Sequence, residues 1–239
     1  MFEKLFRNVT GEEKADAIER IIQHASPRQD FFLMMMLAIA MATVGVLVDS
    51  SVVLIGSMLI APMLYPLLSL ALGIVLSDGP LLARSLYTLG KSVLFALAAA
   101  IVIGVFFTGT NLAAIGIVTK SVPSLMYALV AGIAGFAAAF AMTKPNLNEM
   151  LPGVAISVSL VPPLAVAGVG LAHFNWAVFA NSFLLFLINV VGIVLFATVV
   201  FSLFGFSVKR QVAEEAVKAE NKVLKAEAKP LPASKADGH

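Results

Sequence analysis

Residues 31–76 read FFLMMMLAIAMATVGVLVDSSVVLIGSMLIAPMLYPLLSLALGIVL, and the only charge in that stretch is Asp49. A helix needs about 20 apolar residues to cross the hydrocarbon core of a bilayer. The stretch therefore holds two crossings, with a turn at Asp49-Ser50-Ser51, whose serines also supply an N-cap for the second helix. The same silence recurs downstream: no charge lies within 93–119, 124–143, 153–172 or 174–208. An Asp, Lys or Arg at the centre of a spanning helix costs about 2.5–3.5 kcal/mol, so charge-free runs of this length point to lipid as the solvent. Further spans are expected near 91–108, 124–142, 153–173 and 177–204, after 31–48 and 51–76. The fold class is thus all-α, a polytopic transmembrane bundle of about six spans.

Composition agrees. Hydrophobic residues make up 60% of the 239 positions and charged residues 13%, where soluble domains carry about a quarter. The charges gather in 1–30 and 208–239, which divides the chain into an N-terminal segment, a spanning domain over 31–204, and a C-terminal segment over 205–239. A net charge of +2 and the lack of a basic, aromatic-studded patch argue against nucleic acid as a partner. With no Cys, disulfides and thiol chemistry are excluded. His24, His173 and His239 stand far apart, and no nucleophile motif, Walker loop or dinucleotide fingerprint occurs. No catalytic residue, metal or cofactor is expected, and the chain does not read as an enzyme. The charged opening and the long apolar run after it do not fit a cleavable signal, whose apolar core is about 7–15 residues.

Orientation follows from Lys and Arg. With six crossings, Lys4, Arg7, Lys14, Arg20, Arg28, Arg84, Lys91, Lys144 and the seven cations from Lys209 to Lys235 share one face, leaving Lys120 alone on the other. The positive-inside rule puts that face and both termini in the cytoplasm of a cell membrane. Thr10 and Glu13 form a capping box that starts a short helix over 11–25. Residues 208–229 read as a second cytoplasmic helix, solvated or interfacial, in which Val212, Ala216, Ala219, Val223 and Ala226 give only a weak heptad-like seam. Pro230 to His239 read as disordered.

The most functional-looking feature is a pair of interrupted helices. Proline removes a backbone donor and clashes with the preceding turn, so breaks or kinks are expected at Pro62 and Pro66 in the second span and at Pro162 and Pro163 in the fifth. Each is the middle helix of a three-helix half, 31–108 or 124–204. Ser57 aligns with Ser157, and Pro62 with Pro162, at one common offset. An odd number of helices per half makes the repeat an inverted one, and paired broken helices in such halves mark midplane transport sites. The expected pathway residues are Ser57, Pro62, Tyr65, Pro66, Ser157, Ser159, Pro162, Pro163 and Asn189, with Ser69 and Asn181 as further polar groups. Asp49 and Glu149, one before each broken helix, read as gating acids or as turn and cap residues. Any coupling ion would be held by carbonyls and hydroxyls, since no charge lies deep in a span. Small residues spaced four apart, Ala96-Ala100-Gly104 and Ala128-Gly132, read as close-packing faces within the protein or between copies of a homo-oligomer.

Two of these stretches also carry a family resemblance. The string from Asp49 to Pro62 (DSSVVLIGSMLIAP) and the string from Gly153 to Gly168 (GVAISVSLVPPLAVAG) resemble the two signatures of the hydrophobic family called domain of unknown function 389, and the region around Asn189 fits as well. The likeness covers about 30–204. It departs at Ser51, where the family often has another small residue or Pro, and in the short N-terminal segment, where many relatives carry a larger soluble region. It implies a prokaryotic membrane protein and brings no established substrate. Two functions remain open: a transporter or channel for a small solute or ion, or a membrane scaffold or sensor acting through its cytoplasmic ends.

Overall fold

The computed structural model describes residues 9–107, 117, 123–144, 147, 150–206 and 210–227. Among these the chain forms nine α-helices and no strand: α1 (Gly11–His24), α2 (Gln29–Leu47), α3 (Ser51–Ile60), α4 (Leu64–Leu76), α5 (Gly79–Phe106), α6 (Leu125–Met142), α7 (Met150–Ala172), α8 (Trp176–Leu203) and α9 (Arg210–Glu227). Five of them, α2, α5, α6, α7 and α8, are long and apolar enough to cross a membrane, and α3 with α4 makes a sixth if the bent pair is one span. Val52, Phe106 and Leu125 are each more than 80% exposed, as expected of side chains that face lipid. The protein is a multi-pass bundle of membrane helices.

The break expected at Pro62 is present: α3 stops at Ile60, α4 starts at Leu64, and their axes differ by 56°. The break falls at Ala61-Pro62-Met63, where Ala61 is extended, the conformation that a following proline imposes. By contrast, α7 runs without interruption through Pro162 and Pro163. The third span also begins earlier than its apolar run. Asp78 caps α5 by accepting from the Leu81 N–H at 3.0 Å, and Pro80 sits in the first turn, so the helix carries Arg84 and Lys91 before its charge-free part.

The core is centred on α7, which packs against α2, α3, α5, α6 and α8. Small residues set the distances. Ala100 and Gly104 of α5 meet Gly168 and Ala172 of α7, and a Cβ on Gly135 of α6 would lie 2.5 Å from the Ile193 carbonyl of α8. The small-residue stripes of α5 and α6 are therefore filled inside the chain.

Three helix hairpins share one construction that the sequence reading did not isolate. At α2–α3, Asp49 adopts φ 50°, while the Ser50 N–H reaches the Gly45 carbonyl and the Asp49 N–H reaches Val46. Ser77 repeats this at α4–α5 with Gly73 and Ile74, and Phe174 at α7–α8 with Gly170 and Leu171. Each is a Schellman motif. The residue after the left-handed position, Ser50, Asp78 or Asn175, then caps the next helix. In all three the glycine lies four residues before the left-handed position, and it faces the first turn of the following helix, at Leu54, Leu82 or Phe179.

At the end of the bundle that carries the termini, α1 lies against α4 and α9 lies against α1. The capping box is present, with Thr10 N–H to Glu13 Oε2 at 2.7 Å and Glu13 N–H to Thr10 Oγ1 at 3.2 Å. Ala17, Ile18, Ile21 and Ile22 are buried. The buried face of α9 is Ala213, Val217 and Glu220, with Val212 and Ala216 of the expected seam packed at its edge. Ala219, Val223 and Ala226 are exposed. Glu220 belongs to the packed face because its carboxylate accepts from Arg28 at 3.0 Å and from the Ser26 hydroxyl at 2.6 Å. The Arg84 guanidinium reaches the same cluster through Ser26 and Asn221. The tail 230–239 lies outside the described residues.

Candidate functional site

Proline at 163 leaves the Ser159 carbonyl without its helical donor, and proline at 162 does the same for Val158. In hydrocarbon such a group must be met by protein or by water. For Ser159 the partner comes from the neighbouring helix: Asn189 Nδ2 donates to its carbonyl at 2.7 Å. Asn189 is 2% exposed, and its Oδ1 is buried with no hydrogen-bond partner among the described residues. The Ser159 hydroxyl donates back to the Ala155 carbonyl at 3.3 Å, which leaves its oxygen lone pairs unused by that bond. An amide from α8 thus replaces the missing backbone donor and keeps α7 whole.

These groups surround a cavity of about 230 Å³ lined by Ser51, Tyr127, Val158, Ser159, Pro162, Pro163 and Asn189, with Ile117 and Leu185. Ser51 opens α3 and Tyr127 lies in the first turn of α6, both near the α2–α3 hairpin end, whereas Pro162 and Asn189 are mid-helix in α7 and α8. The cavity therefore reaches from one end of the bundle to its middle. None of its lining residues is charged.

Below it, the second interruption is closed by a different contact. Ser157 of α7 donates to the Ala61 carbonyl at 3.2 Å, sharing its proton with the Gly153 carbonyl at 3.1 Å. Ser57 is buried, and its hydroxyl returns to the Leu54 carbonyl at 2.6 Å. Ser157 thus ties the α3–α4 break to α7, and neither serine lines the cavity above.

Of the residues singled out from the sequence, Ser159, Pro162, Pro163 and Asn189 come together around the cavity. Pro62 sits in the break and Pro66 is buried in the first turn of α4. Tyr65 turns the other way and stacks on His24 of α1, ring centroids 4.6 Å apart. Ser69 bonds Ser85 across α4 and α5 at 2.7 Å, and Asn181 is exposed. Asp49 occupies the left-handed turn position and accepts from the Ile117 N–H at 3.1 Å. Glu149 lies outside the described residues, as does Lys120. Sequence reasoning gave Ser51 only a turn and capping role and passed over Tyr127. Both begin helices next to polar turns, a signal that places them near one membrane face and says nothing of the cavity.

The model of a family described as a domain of unknown function matches residues 58–195, from the end of α3 to the middle of α8. The chain belongs to that family, domain of unknown function 389. The match contains both proline sites and Asn189. Similarity extends further to an uncharacterised protein of Methanocaldococcus jannaschii, 32% identical over 209 residues, which cover 82% of this chain and 63% of the relative. The chain thus spans less than two thirds of the length of that family relative. No solved structure matches it.

Proposed function

We propose that this member of the domain of unknown function 389 family is a transporter or channel for a small solute or ion, without enzymatic activity. The observation that carries the reading is the uncharged cavity, bordered by Ser51, Tyr127, Ser159 and Asn189, that ends on the proline turn of α7. Irregular hydrogen bonding at membrane depth persists only where it is buried in protein or faces a wet cavity, and here both occur on one helix.

Topology supports the same reading. The Arg28–Glu220 ion pair at 3.0 Å joins the two terminal segments. Terminal segments joined in this way favour an even number of crossings, with α3 and α4 together as one full, bent span. Six crossings divide into two three-helix halves of opposite orientation. The second and third helices of each half are joined by the same Gly–Schellman–cap hairpin, at Gly73 and at Gly170. This favours the inverted repeat. The positive-inside rule then places both termini in the cytoplasm of a cell membrane, with the cavity reaching toward the outer face and Ser157 closing the inner side.

Since the chain has no native Cys, single cysteines test the reading directly. At Ser51 and Tyr127 they should react with an impermeant thiol reagent applied from outside, and at Ser159 they should react more slowly, while Ser57→Cys stays inert. Inertness at all of the first three would leave a packed bundle and end the proposal. The rival, a scaffold or sensor, draws on the interlocked α1 and α9. Truncation at residue 208 should then abolish its role, whereas a transporter core keeps its flux.

A further inference from the structure

We propose that the cavity between α7 and α8 binds a monovalent inorganic cation through neutral oxygens, with Asn189 Oδ1 as its innermost ligand. The inference rests on the transport reading of the same cavity and deepens it. An asparagine amide has two faces of opposite chemistry. Contact of Nδ2 with the Ser159 carbonyl at 2.7 Å fixes which is which, because a flipped amide would set two oxygens against each other. Oδ1 is thereby committed as an acceptor, buried and without partner among the described residues. A buried acceptor left without a partner is costly. A positive or proton-donating occupant relieves it.

The other groups narrow the occupant. Ser159 Oγ has given its proton to Ala155, so its lone pairs point to an acceptor role. Pro162 withdraws the usual partner of the Val158 carbonyl, and Val158, Ser159 and Ser51 all line the cavity. The polar part of the lining comes from Ser51, Tyr127, Ser159 and Asn189, set among apolar side chains, and it offers no positive group to an anion. It contains no carboxylate, whereas protein sites for divalent cations are built around carboxylates. A single positive charge is what neutral dipoles can hold. The volume of about 230 Å³ exceeds that of a bare ion and admits several waters, each about 30 Å³, so the ion enters partly hydrated.

The test is thermal unfolding of the purified chain in detergent, titrated with sodium, potassium or choline chloride at constant ionic strength. At least one alkali cation should raise the melting temperature saturably, and choline should not. Asn189→Leu should abolish the response. Ser159→Ala, which keeps the backbone carbonyl held by Asn189, should raise the half-saturating concentration about fivefold, the worth of one modest contact. Ser57→Ala should leave it unchanged. Equal responses to choline and alkali cations overturn the site, as does an unaltered response in both Asn189→Leu and Ser159→Ala. Ion and solute flux in proteoliposomes separates the two claims. Asn189-dependent stabilisation without any flux upholds the cation site and ends the transport reading; solute flux through a protein indifferent to alkali cations overturns the cation site alone.

Discussion

Asn189 Nδ2 lies 2.7 Å from the carbonyl of Ser159, the one group in α7 that Pro163 deprives of its backbone donor. The amide stands in for a peptide N–H across a helix interface. If so, the two residues are energetically coupled. Pro163→Ala restores the native donor and makes the amide redundant. Asn189→Leu should therefore destabilise less in the Pro163→Ala background than in the parent, by about 1 kcal/mol, within the range of interhelical hydrogen bonds in membranes. A double-mutant cycle measured by denaturant unfolding checks this, and strict additivity of the two changes would refute the substitution.

That relationship also marks the boundary of what the sequence could tell. Helix existence was legible because it depends on local charge: the runs free of Asp, Glu, Lys and Arg became α2 and α5 to α8. The break at Pro62 was legible too, since the proline acts on its own neighbours. The continuity of α7 was not, because the donor that sustains it lies thirty residues away on another helix. The buried face of α9 was not legible for a related reason. Glu220 is buried only because Arg28 and Ser26 meet it, and an apolar pattern cannot register a charge whose partner is distant. Tyr65 left the expected pathway because α1 docks on α4 and offers it His24. The three hairpins are different. Their pattern, a glycine four residues before a left-handed position that a Ser, Asp or Asn cap follows, was present in the residues and was overlooked.

Those hairpins predict a graded series. A Cβ on Gly170 would lie 2.7 Å from the backbone nitrogen of Phe179, and one on Gly45 would lie 3.1 Å from that of Leu54. At Gly73 the nearest atoms, at 3.0 Å, belong to the Leu82 side chain, which can turn aside, and the Leu82 backbone nitrogen lies at 3.2 Å. Alanine should thus cost most at Gly170, about 1–3 kcal/mol as for other overpacked sites, and less at Gly45 and Gly73. Gly79, with nothing within 4 Å, should gain a few tenths of a kcal/mol, up to about 1, from the helix propensity of alanine. Unfolding midpoints of the four variants give the order.

The terminal helices should behave as one latch. Glu220 is nearly buried, with a side chain 6% exposed against 42% for Arg28, so removing the carboxylate takes the closest acceptor from Ser26 and loosens two arginines. Glu220→Ala should weaken the docking of α9 by about 1–3 kcal/mol. Trypsin should then cut at Lys218 and Lys222 several-fold faster while the bundle stays intact. Glu220→Gln, which retains an acceptor for Ser26, should lie between the variant and the parent. Unchanged cleavage in the alanine variant would mean that apolar packing of Ala213 and Val217 alone holds α9.

The same latch constrains topology, and this can be read without any knowledge of substrate. Under the proposed six-span arrangement, the ends joined by Arg28 and Glu220 share a face and the α7–α8 hairpin is expected on the opposite side. Phe174, at the tip of that hairpin, is 84% exposed. Phe174→Cys should therefore be labelled in intact cells by an impermeant thiol reagent, and Lys225→Cys only after the membrane is opened. Were α3 and α4 a re-entrant loop instead, five crossings would remain and the ends of the chain would face opposite compartments, beyond reach of each other. Labelling of Phe174→Cys and Lys225→Cys from the same side would break the six-span arrangement, and with it the inverted repeat and the outward aspect of the cavity.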